Sequence, residues 1–293
     1  MATGNVYSVP AAVQACINST GDGNETACYS PSVWQEAVIA FDTNSGHVNW
    51  IQRLSVLDAW TLACGLPGLA PLQPTCPPNP GPDADFGMAP SFVPGTSSSN
   101  TPHGRDVVVV GQKSGNIYAI DAANGTIYWT TLTSPDSSAQ GALIWGVAVD
   151  ASHVYFTAVN GGLATWALQP TGVNISNSAY GAADLASGNI TWEVPVPQNN
   201  TSYAPPSVSN DLIVVGRGGF QSIPAVGDTG SIVFLDKGTG MMVHDIPADN
   251  VVYGGVAVHG RYVNSLSTTS SPAHLLRRLH LQLHLHIHLR SDR

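Results

Sequence analysis

One pattern recurs four times along this chain, and a recurring unit limits the possible folds more than any composition does. An apolar or small stretch is followed by Asp, by Gly four residues on, and by an aromatic four residues further. The copies are Ala37–Trp50 (AVIAFDTNSGHVNW), Asn116–Trp129 (NIYAIDAANGTIYW), Gly181–Trp192 (GAADLASGNITW) and Ser231–His244 (SIVFLDKGTGMMVH). Their anchors are Asp42/Gly46/Trp50, Asp121/Gly125/Trp129, Asp184/Gly188/Trp192 and Asp236/Gly240, with His244 standing where the other three have Trp. This is the grammar of a β-hairpin. Alternating apolar residues form the first strand, Asp bonds backbone amides across the turn, Gly supplies a positive φ, and the aromatic of the return strand packs into the neighbouring unit. The four Asp residues each fill one turn position and are read as turn formers rather than catalytic groups.

Short apolar runs between the copies, at Val107–Val110, Val154–Ala158, Leu212–Val215 and Val251–Val258, bring each unit to about four strands. Trp50 to Trp129 spans 79 residues and Trp129 to Trp192 spans 63. Both exceed the ~40–50 residues of an ordinary propeller blade, so long loops are inserted. A β-propeller is the architecture that repeats four-stranded sheets around an axis. The expected fold is all-β, a partial propeller ring over residues 1–270, followed by an aberrant segment at 271–293.

Charge and cysteine narrow the function classes. Charged residues make up only 10% of the 293, and the net charge is −9. Residues 1–270 hold 18 acids against 6 bases, an acidic body that repels phosphate backbones and argues against nucleic acid as a partner. No apolar run is long enough for a membrane-spanning helix. The four cysteines fall as two local pairs, Cys16 with Cys28 and Cys64 with Cys76, each bracketing a turn-rich loop. Sequons at Asn18, Asn24, Asn124, Asn174, Asn189, Asn199 and Asn200 add to the expectation of a secreted, oxidising setting. No signal peptide is seen, and the opening Met1-Ala-Thr-Gly-Asn reads as the end of a strand, so the chain is expected to be an internal fragment.

Several segments beyond the repeats carry a resemblance. They are Thr3-Gly4-Asn5, Leu57-Asp58-Ala59-Trp60, Gly81-Pro82-Asp83-Ala84-Asp85-Phe86-Gly87, Gly111-Gln112-Lys113-Ser114-Gly115 and Trp145. With the hairpins, they resemble the quinoprotein (pyrroloquinoline quinone, PQQ) dehydrogenase-like propellers, and among these the polyvinyl-alcohol-dehydrogenase-like branch, across roughly residues 1–260. The resemblance implies an eight-bladed ring with PQQ on its axis and calcium beside it. It also implies oxidation of a small alcohol or polyol by hydride transfer, with a separate electron acceptor. Asn5 then resembles the amide that ligates the metal, and Lys113 the cation that reaches the quinone oxygens. Trp60 and Trp145 are candidate cofactor contacts, and Asp58 the candidate base. In that family's alcohol dehydrogenases an Asp follows the Trp, whereas Thr61 stands here, so Asp58 would have to serve from one turn earlier. A chain opening at Thr-Gly-Asn lacks the preceding blades, so it is expected to be inactive by itself. The alternative is a non-catalytic propeller that binds protein or glycan partners, since fold does not fix function.

Other matches are decoys. Asp228-Thr229-Gly230-Ser231 copies an aspartic-protease tetrapeptide without the second copy that chemistry needs. Asp85-Phe86-Gly87 copies a kinase tripeptide without the loops that accompany it. Residues 271–293 hold half of the ten histidines and break from the propeller grammar. As a strand, His284, His286 and His288 would share a face fit for zinc or nickel, but a shifted reading frame or mis-spliced exon explains the tract better. It is expected to be disordered.

Overall fold

The structure, a computed structural model, describes residues 1–7, 9–20, 25–28, 30, 32–55, 59–61, 81–135, 141–218, 230–248, 250–259, 262–264 and 281–282. Asp58, the Cys64 and Cys76 pair, the Asn24 sequon, Asp228, Thr229 and His284, His286 and His288 lie outside the described residues.

The fold is all-β, a β-propeller of antiparallel blades, with no closed ring among the described residues. Helix α1 (Ala11–Thr20) precedes the sheets, buries none of its residues, and is tied by the Cys16–Cys28 disulfide to the turn at Glu25–Cys28. The first blade holds β1 (Ala37–Phe41) and β2 (Val48–Arg53), with Ala2 bridging Val38 beside β1. The second holds β3 (Ser91–Val93), β4 (Val107–Gly111), β5 (Asn116–Asp121) and β6 (Ile127–Leu132) in that spatial order. The third starts with β7 (Ala148–Val149) and β8 (His153–Ala158). A small hairpin of β9 (Trp166–Ala167) and β10 (Asn174–Ile175) then intervenes before β11 (Ala179–Asp184) and β12 (Ile190–Pro195) complete the third blade. The fourth holds β13 (Ser207–Ser209), β14 (Leu212–Arg217), β15 (Ser231–Asp236) and β16 (Met242–Pro247). A fifth sheet has β17 (Ala257–His259), β18 (Tyr262–Asn264) and β19 (Leu281–Gln282). Thus two residues of the 271–293 segment pair with Tyr262 and Val263, and the remainder of it lies outside the described residues.

The hairpins form as their residue types dictate. Asp42 Oδ1 accepts from the amides of Asn44 and Ser45, Asp121 Oδ1 from Ala123 and Asn124, and Asp236 Oδ1 from Gly238 and Thr239. Asp184 Oδ1 accepts from the Ser187 amide and hydroxyl. Gly46, Gly125, Gly188 and Gly240 take φ of +73°, +79°, +75° and +70°, a region costly for any residue with a Cβ. A register shift follows the aromatic's partner in every copy, after Ala40, Ala119, Ala182 and Phe234. Such bulges sharpen the local twist.

Each tryptophan then docks on the next blade. Trp50 Nε1 donates to the Ala122 carbonyl, Trp129 Nε1 to Leu185 and Trp192 Nε1 to Lys237, each at 3.0 Å. The three rings press against Gly125, Gly188 and Gly240, so close that a Cβ at any of them would overlap the indole. Glycine is therefore required twice over, by backbone conformation and by contact. Four apolar clusters are packed within and between the blades. The largest runs from Val38 through Val109, Ile120 and Phe156 to Leu185, joining blades one to three. A second, around Tyr155, Trp192 and Leu235, joins the third and fourth.

One expected strand is shorter than its sequence suggests. Of Val251–Val258, only the end enters β17. Val252 is buried as irregular chain because its amide bonds the Arg217 carbonyl at 3.3 Å, leaving the sheet ladder to residues past Gly254-Gly255.

Candidate functional site

Lys113 lies in the turn between β4 and β5. Gly115 permits that turn with φ of +91°, and its amide bonds the Gln112 carbonyl at 2.9 Å. A polar network centred on the buried Gln112 side chain fixes the turn from below. Gln112 Nε2 donates to Ser55 Oγ, while Gln112 Oε1 accepts from Ser114 Oγ at 2.7 Å and Tyr118 Oη at 3.0 Å. Burial pushes the Tyr118 phenol upward, so it serves the network as a neutral donor. On the other side, the Lys113 stem runs over Gly141, where a Cβ would collide with it.

The ammonium sits between two carboxylates. Lys113 Nζ stands 3.0 Å from Asp83 Oδ2 and 2.6 Å from Asp85 Oδ1, with side-chain exposures of 15% for the lysine, 2% for Asp83 and 19% for Asp85. Burial alone would lower the Lys113 pKa; the hydrogen bonds and charges of Asp85 and Asp83 outweigh it and hold the group above the ordinary lysine value. The backbone repeats the contact, since the Lys113 amide donates to the Asp85 carbonyl at 3.1 Å and the Lys113 carbonyl accepts from Ala142 at 2.8 Å. Asp83 adopts φ of 62°, a left-handed conformation that Asp tolerates better than most residues.

Asn5 reaches the same cluster. Its Nδ2 donates to the Trp60 carbonyl at 3.1 Å, the Trp60 amide bonds the Val6 carbonyl at 3.0 Å, and the Val6–Ala59 bridge ties the two segments. A Cβ on neighbouring Gly4 would stand 3.5 Å from Asp85 Oδ2, so the Thr-Gly-Asn turn abuts that carboxylate. Trp60 is half-buried there. Trp145 follows from Ala142 on the segment beside Lys113 and is 57% exposed, its indole open rather than packed. Asn5 and Trp60 are thus tied to each other and Gly4 abuts Asp85, the partner of Lys113, with Trp145 on the next segment and Asp58 outside the described residues.

The sequence reading passed over Asp83 and Asp85 as site residues, though it quoted their segment. The signal was there: two acids one residue apart in a chain with only 10% charged residues, set between Gly81-Pro82 and Phe86-Gly87. Among the described residues no three His, Cys, Asp or Glu side chains cluster as metal ligands. The hard donors present are the Asp83 and Asp85 carboxylates and the amide oxygen of Asn5, which suit calcium in kind. A hollow of about 460 Å³ lined by Phe92, Arg105, Asp106 and Asp121 contains none of these groups.

Blades docked by an Asp–Gly turn and an indole define a β-propeller, here with a lysine turn held by an acid pair. A family model described as outer membrane protein assembly factor BamB matches residues 35–173. The chain is similar to a polyvinylalcohol dehydrogenase of Pseudomonas sp, 35% identical over 121 residues, 41% of this chain and 17% of that protein. It is also 31% identical over 158 residues to the polyvinylalcohol dehydrogenase of Sphingopyxis sp. (strain 113P3), 54% of this chain and 22% of that protein. The matches thus span about a fifth of these relatives' own lengths. Among solved structures, the quinohemoprotein alcohol dehydrogenase of Comamonas testosteroni overlays with a TM-score of 0.49 and 14% identity, over 79% of this chain and 38% of that one.

Proposed function

We propose that this chain supplies one face of the active site of a PQQ-dependent, alcohol-oxidising propeller enzyme. The observation that carries the reading is the Lys113 ammonium fixed between Asp83 and Asp85 beside the Asn5 turn. A bound quinone would supply the two-electron acceptor, and a calcium ion on Asp83, Asp85 and Asn5 would polarise it. Within the chain, Lys113 places a permanent positive charge where a reduced, anionic ring gains most from one. Asp85, the more exposed carboxylate, is a second candidate to accept a proton from an alcohol hydroxyl, beside Asp58. Trp145 offers a flat apolar surface for a planar ring. A small alcohol or polyol is the substrate, and a separate partner carries the electrons away.

The second reading, a non-catalytic scaffold for protein or glycan partners, is favoured by the same ion pairs. Lys113 already satisfies both carboxylates, so the cluster can stand as a structural tie between the Asp83–Asp85 segment and the β4–β5 turn. Under either reading we place the protein in an oxidising compartment, periplasmic or extracellular, for which the Cys16–Cys28 disulfide is the support. Among the described residues no helix is long and apolar enough to cross a membrane. Residues 1–270 are taken as the propeller part and 271–293 as a His/Leu/Arg-rich segment of different character, of which Leu281–Gln282 pairs with β18.

The test is a titration of the chain with PQQ in the presence of calcium, read by quenching of tryptophan fluorescence. Saturable quenching that weakens at least tenfold in Lys113→Met and in Asp85→Asn, with Trp145→Phe reducing its amplitude, supports the first reading. A folded protein that shows no saturable quenching leaves the scaffold.

A further inference from the structure

The third blade carries an insertion, the β9–β10 hairpin, and beneath it a buried acid that the Lys113 site does not use. Residues 159–178 hold no acidic or basic side chain. The root of the insertion is firmly held. Asn160 Nδ2 donates to the Ala164 and Asn177 carbonyls at 2.8 and 3.3 Å, and Asn160 Oδ1 accepts from the Ala164 amide at 3.1 Å. Its far part is tied more lightly: among the described residues, 167–175 make one hydrogen bond to the blade, from the Gln169 amide to Glu193 Oε2 of β12 at 2.6 Å. Leu168 beside it is buried and packs with Trp166 and Ile175 against the first core. Glu193 Oε1 is buried without a hydrogen-bond partner. In register with Glu193 stand Gly181 and Phe156, whose ring covers that glycine. Burial and the Gln169 amide alone act on the titration of Glu193. His153 and Asp184 pair at the far end of β8 and β11, and Tyr155 and Tyr180 belong to the core shared with the fourth blade. From the second blade, β6 turns Trp129 and Thr131 this way, while its Tyr128 bonds Asp121.

We propose that Glu193 is a proton-operated latch for the β9–β10 hairpin, closed when the carboxyl holds its proton and released when the proton leaves to solvent. With the proton on Oε1, the carbonyl oxygen Oε2 accepts from Gln169, and one unbonded hydroxyl costs less than a buried charge. Once ionised, the carboxylate gains water only if the Leu168–Gln169 segment lifts about the Asn160 root. The sign follows from the two proton affinities. With the hairpin down Glu193 titrates at about 7, and in water a glutamate titrates at about 4.3, so rising pH favours the lifted state. Between pH 5 and pH 8 the ratio of lifted to closed hairpin climbs roughly 80-fold. The root adjoins the Lys113 turn, since the Val159 amide bonds the Ala142 carbonyl and the Ala142 amide bonds the Lys113 carbonyl, each at 2.8 Å. Release therefore bares Leu168 and Trp166 on the rim that bears Lys113. This inference is independent of any cofactor.

Hydrogen exchange of the full chain by mass spectrometry, expressed as protection factors at pH 5 and pH 8, tests it. A two-stranded hairpin lifted off its blade is marginal in water, so its own amides lose protection with it. The expected result is a fall of roughly 80-fold across residues 166–175 between the two pH values. At pH 8 these amides are less protected than those of β8 and β11, and low urea leaves their exchange unchanged while it speeds that of the two strands, as local opening requires. Glu193→Gln keeps the acceptor for Gln169 but cannot ionise, and it holds the hairpin's protection constant with pH, its circular dichroism being that of wild type. Constant protection in wild type overturns the proposal without recourse to any variant. An equal fall in Glu193→Gln overturns it too, as does a hairpin whose protection and urea response match those of β8 and β11.

Discussion

At the scale of single residues, two buried acids decide most of the electrostatics. Asp83 is nearly inaccessible and pairs with the Lys113 ammonium 3.0 Å away. Lys113→Met keeps the apolar stem but takes the ammonium from that carboxylate, and removing one partner of a buried pair costs about 3 kcal/mol; urea unfolding measures the loss, and Lys113→Met with Asp83→Asn recovers part of it. The raised lysine pKa makes this contribution complete below about pH 10.4 and lost as pH climbs through the folded value. Glu193 behaves in the opposite way to most carboxylates. It is 3% exposed on β12, burial pushes it up to about 7, and the Gln169 amide at 2.6 Å from Oε2 offsets only part of that. Because its folded pKa lies above the unfolded value of about 4.3, the folded state is favoured at low pH, and that advantage is lost as pH rises through 7. Wild type is therefore expected to lose on the order of 3 kcal/mol between pH 5 and pH 8 that Glu193→Gln does not lose. Denaturant midpoints at the two pH values check it.

At the scale of the hairpin, the turn glycines separate two costs that usually come together. Gly188→Ala meets both the backbone penalty at φ +75° and the Trp129 ring at 2.6 Å, while Gly46→Ala meets the backbone penalty alone. The first should cost about 3 kcal/mol and the second about 1, read from urea midpoints of the two variants. The hairpins were legible because each is local: Asp, Gly and aromatic fall within nine residues, and period-two alternation marks the strand before them. The acid pair was not read as a site because its meaning is non-local. Asp83 and Asp85 are some thirty residues from Lys113 in sequence, and only the closing of the second blade brings them together. Asn5 and Trp60 meet through a hydrogen bond across 55 positions, which a family resemblance could suggest and spacing could not. Helix α1 gave no signal for a related reason: with no buried residue it has no apolar stripe to announce it.

For the whole molecule, stability divides along the same lines as burial. The first core couples blades one to three, whereas α1 and its disulfide stand outside every core cluster. Replacing Cys16 and Cys28 together by Ser should leave the thermal midpoint of the sheets within about 2 °C and remove amide protection from residues 11–20 alone; hydrogen exchange by mass spectrometry reads both. Conversely, Trp129→Ala should raise exchange in β11 and β12 as well as in β6, because the indole bonds the Leu185 carbonyl across the blade boundary.

The β9–β10 hairpin shows what such joints permit. It is spliced between β8 and β11, yet those strands keep six consecutive partners from Ala179↔Ala158 to Asp184↔His153. Since one turn and one indole specify how neighbouring blades meet, the chain between joints is metrically free. New segments can be threaded into the loop between Ala158 and Ala179 without altering the pitch of the assembly. A lineage built on this plan can therefore diversify one rim of the molecule extensively while the spacing of its blades stays fixed.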